Sequence, residues 1–131
     1  MTHTTSIVVD SWAWLELFGG SEKGKEVEGR MSSASSVFTT ALTLAEVVSV
    51  TARRKQPAEK AYEVIQSNSR IVAPTAEDSF LAGKLHAEIK STRRNFSLAD
   101  SFVLQAARKL DAKVITADPD FKGIEEADLL G

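Results

Sequence analysis

Apolar residues along this chain follow two rhythms. Short β-branched runs occur in Ser6–Asp10 and Lys113–Thr116, and they read as strands buried on both faces. Val37–Thr39 and Arg70–Ala73 read as two further strands, the second closed by Pro74, and Ala127–Leu130 as a possible edge. Between them the spacing is helical. A short helix is predicted over Ser11–Phe18, stopped by Gly19-Gly20, and a charged one over Ser21–Met31. Thr43–Lys55 carries Leu44, Val47, Val48 and Thr51 on one face, and Pro57 opens a helix to about Asn68 with Ala61, Val64 and Ile65 inward. Thr75 to about Ser91 and Ser97–Leu110 complete the set, the latter with Phe102, Val103, Ala106 and Leu110 spaced for burial.

Strands alternating with helices predict an α/β fold, three layers α/β/α around a short, mainly parallel sheet. At 131 residues, with no repeat, linker or low-complexity segment, the chain is read as one domain, 1–131. In such a domain strand C-termini and helix N-termini share one edge, where ligands bind. The polar residues at that edge therefore matter most.

Composition narrows the function. The 43% hydrophobic and 26% charged content is that of a soluble globular chain. The absence of cysteine removes thiolate metal sites and thiol nucleophiles and suits a reducing compartment. The N-terminal apolar run is too short for a signal peptide or membrane span, so a cytoplasmic location is expected. A net charge of −2 excludes a strongly basic nucleic-acid coat. Contacts to nucleic acid would have to come from Arg53-Arg54-Lys55, Arg93-Arg94 or Arg108-Lys109. The first and last end helical patterns, where cations offset the helix dipole, and that reading is the simpler for both.

Four carboxylates stand at the functional edge. Asp10 ends the first strand, Asp118 follows the strand Lys113–Thr116, and Glu46 and Asp100 lie in the first turns of their helices. A plainer explanation exists for each. Thr43-Leu-Ala-Glu46 and Ser97-Leu-Ala-Asp100 match or approach the capping box, as does Thr75-Ala-Glu-Asp78. From spacing alone caps are the commoner outcome, and Asp10 and Asp118 also suit loop starts. If the four converge, their repulsion calls for a cation or a bound proton. An all-oxygen set selects a hard ion, Mg²⁺ or Mn²⁺. No Gly-rich phosphate loop is present.

The stretches VVDSWAWLELF around Asp10, TLAEV around Glu46, SLADSFVLQAA around Asp100 and TADPDF around Asp118 together resemble the PIN-domain ribonucleases. The likeness is closest to the VapC-type toxins of prokaryotic toxin–antitoxin pairs and runs over essentially the whole chain. It implies that Asp10, Glu46, Asp100 and Asp118 are catalytic and hold one or two Mg²⁺ or Mn²⁺ ions that orient water for attack on an RNA phosphodiester. It further implies Asp120 as an added ligand or outer contact, Ser11 and Thr116 as hydrogen-bonding partners of the acids, for which capping or strand packing is an equal alternative, a homodimer, and a VapB-type antitoxin partner. Pro119, a departure from the pattern, stiffens the Asp118–Asp120 loop. Arg93 and Arg94, just before the Asp100 helix, are candidates to meet RNA phosphates. Phe96 is a stacking candidate with a core role as the simpler reading; Phe121 reads as core. Trp12, Trp14, Leu17 and Phe18 suit either core packing or a partner groove. His3 and His86 suggest no catalysis.

Two alternatives stay open and a third is weak. A PIN-type nuclease of RNA maturation and a non-catalytic RNA- or protein-binding module share these residues. A receiver-like phospho-acceptor would need an acidic pair at the first strand, a lone Asp ending the middle strand and a Lys ending a later one. Here the middle strand ends Ala73-Pro74 and the last ends in Thr116.

Overall fold

A computed structural model describes residues 5–131, so His3 lies outside the described residues. The chain runs β1 (Ser6–Val9), α1 (Ser11–Gly19), α2 (Glu22–Ser33), β2 (Ser36–Thr40), α3 (Ala41–Arg53) and α4 (Ala58–Asn68). It continues β3 (Arg70–Val72), α5 (Ala76–Lys90), α6 (Leu98–Leu110), β4 (Ala112–Thr116), a 3-10 turn (Pro119–Phe121) and β5 (Ala127–Leu129). The five strands pair in the order β3-β2-β1-β4-β5, every pair parallel. The expected α/β class and sheet are therefore observed, and the last strand is a parallel edge rather than an isolated tail.

Alternation along β1 divides the core. Ile7 and Val9 face one side, together with Trp14, Val27, Val47, Ile65 and Ile115. Val8 faces the other, with Phe96, Val103, Leu104, Val114 and Phe121. The first cluster draws on α1 to α4 and the second on α5 and α6, which gives the three layers. Each fully buried Val or Ile contributes roughly 1.5–3 kcal/mol of transfer free energy. That is why IVV and VIT runs form central strands.

Local signals set the helix ends. Gly20 closes α1 at φ 69°, a left-handed conformation glycine adopts without penalty. Thr75 and Ser97 cap α5 and α6 in full capping boxes with Asp78 and Asp100. One start differs from expectation. Thr40, not Thr43, caps α3, its hydroxyl accepting the Thr43 N–H at 3.0 Å. The strand β2 runs straight into the helix, and the second threonine of SVFTT is the first residue free to cap.

The chain leaves β1 toward β2 and β3, then returns past β1 to lay down β4 and β5. Strand order therefore reverses between β1 and β4. In open parallel sheets the crevice beyond the strand C-termini at such a point is the usual ligand site. Asp10 follows β1 there, and Asp118 follows β4.

Candidate active site

Asp10 is the residue around which the site is built. It is 3% exposed, its N–H is held by the Ile115 carbonyl of β4 at 3.3 Å, and it caps α1 by accepting the Ala13 N–H at 2.8 Å. Burial pushes its carboxyl up to about 7, and the charges of Asp100 and Asp118 add to the rise. Hydrogen bonds from Thr116 and the Ala13 amide pull the other way.

Thr116, fully buried at the end of β4, joins two of the acids. Its hydroxyl accepts the Asp118 N–H at 3.0 Å and, beside Asp10, lowers the pKa of that carboxyl. Asp118 in turn accepts the Asp120 N–H at 2.9 Å and starts the 3-10 turn, with Pro119 at its first position. Pro119 thus fits the turn's fixed φ and needs no N–H there.

Asp100 is both a helix cap and a member of the cluster. One carboxylate oxygen accepts the Ser97 N–H at 2.9 Å. Burial raises its pKa, the Ser97 bonds oppose this, and Asp118 and Asp120 raise it further. The two readings of SLAD are compatible, because the cap occupies one oxygen and fixes the direction of the other.

Glu46 is not a cap. With α3 starting at Thr40, it falls in the second turn, and its carboxylate accepts the Ser11 hydroxyl at 3.3 Å. The residue is exposed, yet its acid end turns toward Ser11 and Asp100. Partial loss of water raises its pKa, the Ser11 bond lowers it, and Asp100 raises it again.

The topology thus brings Asp100 within electrostatic range of Asp10, Glu46, Asp118 and Asp120, and Asp10 within range of Asp118, with Ser11 bonded to Glu46 and Thr116 to the Asp118 amide. Among the described residues none of the five forms a salt bridge to Lys or Arg. Among the described residues no group of three or more His, Cys, Asp and Glu side chains is arranged to hold a metal ion as it stands. An oxygen-only, uncompensated set of this kind fits Mg²⁺ or Mn²⁺. Mg²⁺ keeps most of its water and needs only one or two carboxylates, so three converging side chains are not required.

The remaining candidates separate. Arg94 is exposed, but the Arg93 guanidinium donates to the backbone carbonyls of Asp120 and Lys122 at 2.8 and 2.6 Å. The paired-arginine expectation narrows accordingly: Arg94 faces solvent and Arg93 is bound to the 118–122 loop. The sequence signal was RRN ahead of SLAD, which marks proximity but not the partner. Phe96 is fully buried against Phe121 at 5.2 Å between centroids, so the core reading holds and base stacking is excluded. Trp14 is also core, its indole N–H donating to Thr39 at 3.2 Å, whereas Trp12 is 41% exposed. Arg108 and Lys109 pair with Glu126 and Asp78 at 3.4 and 3.1 Å, and Arg53-Arg54-Lys55 ends α3. His86 lies 3.2 Å from the Phe96 carbonyl. Among the described residues no helix is long and apolar enough to cross a membrane.

Solved structures share this fold at low sequence identity. A toxin–antitoxin complex from Klebsiella pneumoniae matches with a TM-score of 0.76 at 20% identity, covering 95% of this chain and 98% of that one. VapC20 of Mycobacterium tuberculosis, a sarcin–ricin-loop-cleaving toxin, matches at 0.74 and 20%, covering 91% and 95%. VapBC-1 from nontypeable Haemophilus influenzae matches at 0.72 and 19%, covering 95% and 96%. No curated protein sequence matches the chain significantly. The PIN domain profile matches residues 7–127, from the first residues of β1 to the start of β5, and this chain is a member of the PIN domain family.

Proposed function

We propose that this PIN domain is a metal-dependent endoribonuclease acting as the toxin of a toxin–antitoxin pair. The observation that carries the reading is the buried Asp10 at the strand-order reversal, facing Asp100 and Asp118, with no cationic side chain paired to any of them among the described residues. A soluble domain that keeps such a cluster bears a standing electrostatic cost, which a bound divalent ion removes.

Asp10, Asp100 and Asp118 would hold one or two Mg²⁺ or Mn²⁺ ions, with Glu46 and Asp120 flanking them. When bound, the metal supplies positive charge to an RNA phosphodiester and lowers the pKa of water. The chain's own residues set the geometry. Thr116 keeps Asp10 and Asp118 in register, and the Ser97 cap aims Asp100. Ser11 orients Glu46, whose raised pKa suits a group that accepts a proton from an attacking water. Arg94, exposed ahead of α6, would meet backbone phosphate. The toxin assignment and an antitoxin partner are supported by similar solved structures described as a toxin–antitoxin complex and as a toxin, and the homodimer by the sequence resemblance.

The test is cleavage of a panel of structured RNAs by purified protein in Mg²⁺, Mn²⁺ or EDTA, beside the Asp10→Asn/Asp100→Asn double variant. Metal-dependent cutting that the folded variant lacks supports the nuclease. Cutting confined to precursor RNAs would favour maturation over a toxin. RNA binding without cutting in any metal would make the domain a binding module.

A further inference from the structure

The acids arrive on two separate connections. Asp100 is fixed to the α5–α6 loop through Ser97, while Asp118 and Asp120 sit on the loop between β4 and β5. These two loops must hold their acids close although Asp118 and Asp120 both repel Asp100. Among the described residues no ion pair joins the loops. What joins them is Arg93. Its backbone is anchored by donation to the Ile89 carbonyl at the end of α5, at 2.8 Å, and its carbonyl accepts the Phe96 N–H at 3.1 Å. From that anchored position its guanidinium crosses to the second loop and donates to the Asp120 and Lys122 carbonyls, at 2.8 and 2.6 Å.

Three features mark this as a built clasp and not a resting place for a surface arginine. The two bonded carbonyls bracket Phe121, whose buried ring packs on Phe96 of the arginine's own loop, so a polar and an apolar contact join the same segments. Gly123, at φ 84°, turns the chain directly after Lys122, and a Cβ there would already touch the guanidinium at 3.5 Å. His86 lies against the Phe96 carbonyl, giving the arginine's loop a second contact with α5. Cationic donors to backbone carbonyls form charge-assisted bonds, stronger than neutral ones.

We propose that Arg93 is a positioning residue: by clasping the Asp120 and Lys122 carbonyls it sets the separation between Asp100 and the Asp118–Asp120 turn. This rests on the metal-dependent reading of the site. The clasp acts through the loop backbone and does not touch substrate, which distinguishes it from the phosphate contact assigned to Arg94.

The test uses the full chain with Arg93→Met and Arg93→Lys. Hydrogen exchange of the metal-free protein reads the loop, calorimetric Mn²⁺ titration reads the site, and KM against kcat for RNA cleavage reads the substrate. For Arg93→Met, exchange over 118–123 should quicken while β4 stays protected. Mn²⁺ affinity should fall about 10- to 100-fold, the range for lost supporting partners, with kcat reduced and KM nearly unchanged. Arg93→Lys should lie between the two. Unchanged exchange over 118–123 would overturn the clasp, as would unchanged Mn²⁺ affinity with a raised KM, which would return Arg93 to RNA contact. If Arg93→Met does not fold, Arg93→Lys decides: intermediate values support the clasp and wild-type values overturn it. A wild type that binds no Mn²⁺ would defeat the nuclease reading, while the exchange data would still decide whether Arg93 holds the loop.

Discussion

At the scale of residues, Asp10 sets the pH behaviour. Its carboxyl is raised from an ordinary 3.8 to about 7, chiefly by burial. Between these values the folded state binds a proton that the unfolded state has released, so stability from this group falls as pH rises through that window. Above pH 7 the metal-free protein bears the full penalty, at most about 4 kcal/mol by linkage. Asp10→Asn keeps a capping oxygen for α1 and removes the charge. The metal-free variant should therefore melt above the wild type at pH 8, and the gap should close toward pH 4; thermal scans at several pH values check this. Protons compete with a cation for the same oxygens, so Mn²⁺ should raise the wild-type melting temperature more at pH 8 than at pH 6. Thr116→Val is a second case. It removes the acceptor for the Asp118 N–H and a hydroxyl that favours the charged form of Asp10, and should cost about 1–3 kcal/mol of stability in urea unfolding.

At the scale of elements, the helix starts decide which acids are free. Thr40→Ala should cost about 1 kcal/mol by chemical denaturation, as loss of a cap does, because Thr40 and not Thr43 accepts the first-turn amide. The close pass of α1 and α2 gives a sharper outcome. A Cβ on Gly24 would run into the Glu16 carbonyl, so Gly24→Ala must separate the helices and should destabilise by roughly 1–3 kcal/mol in the same assay. The elements themselves were legible in the sequence because apolar period and cap residues agree, as in IVV, VIT and TAED. The start of α3 was not. Two candidate caps, Thr40 and Thr43, stand three residues apart in TTALT, and only the length of β2, set by pairing with β1 and β3, selects the first. The same cause hid the freedom of Glu46, which looked like a cap until the helix began three residues earlier.

At the scale of the whole molecule, the site is a product of strand order. Sequence spacing could assign Asp10 and Asp118 to strand ends, but which strands are neighbours is decided by long-range pairing. The reversal between β1 and β4 brings these two acids together, and packing of α6 against both strands brings Asp100 to them. Arg93 shows the same limit, since nothing within RRN names a carbonyl nearly thirty residues away as its partner. The central claim is that Asp10, Asp100 and Asp118 form one metal centre at that reversal, with Glu46 and Asp120 flanking it. Paramagnetic broadening by substoichiometric Mn²⁺ in ¹⁵N-resolved spectra tests it most directly. Amides of Asp10, Ser11, Asp100 and Asp118 should vanish first, while those of Ser6, Lys113 and Glu126 at the far end of the sheet persist. Broadening centred elsewhere, for instance on Glu22, Glu26 and Glu28 of α2, or spread evenly over the surface, would contradict it.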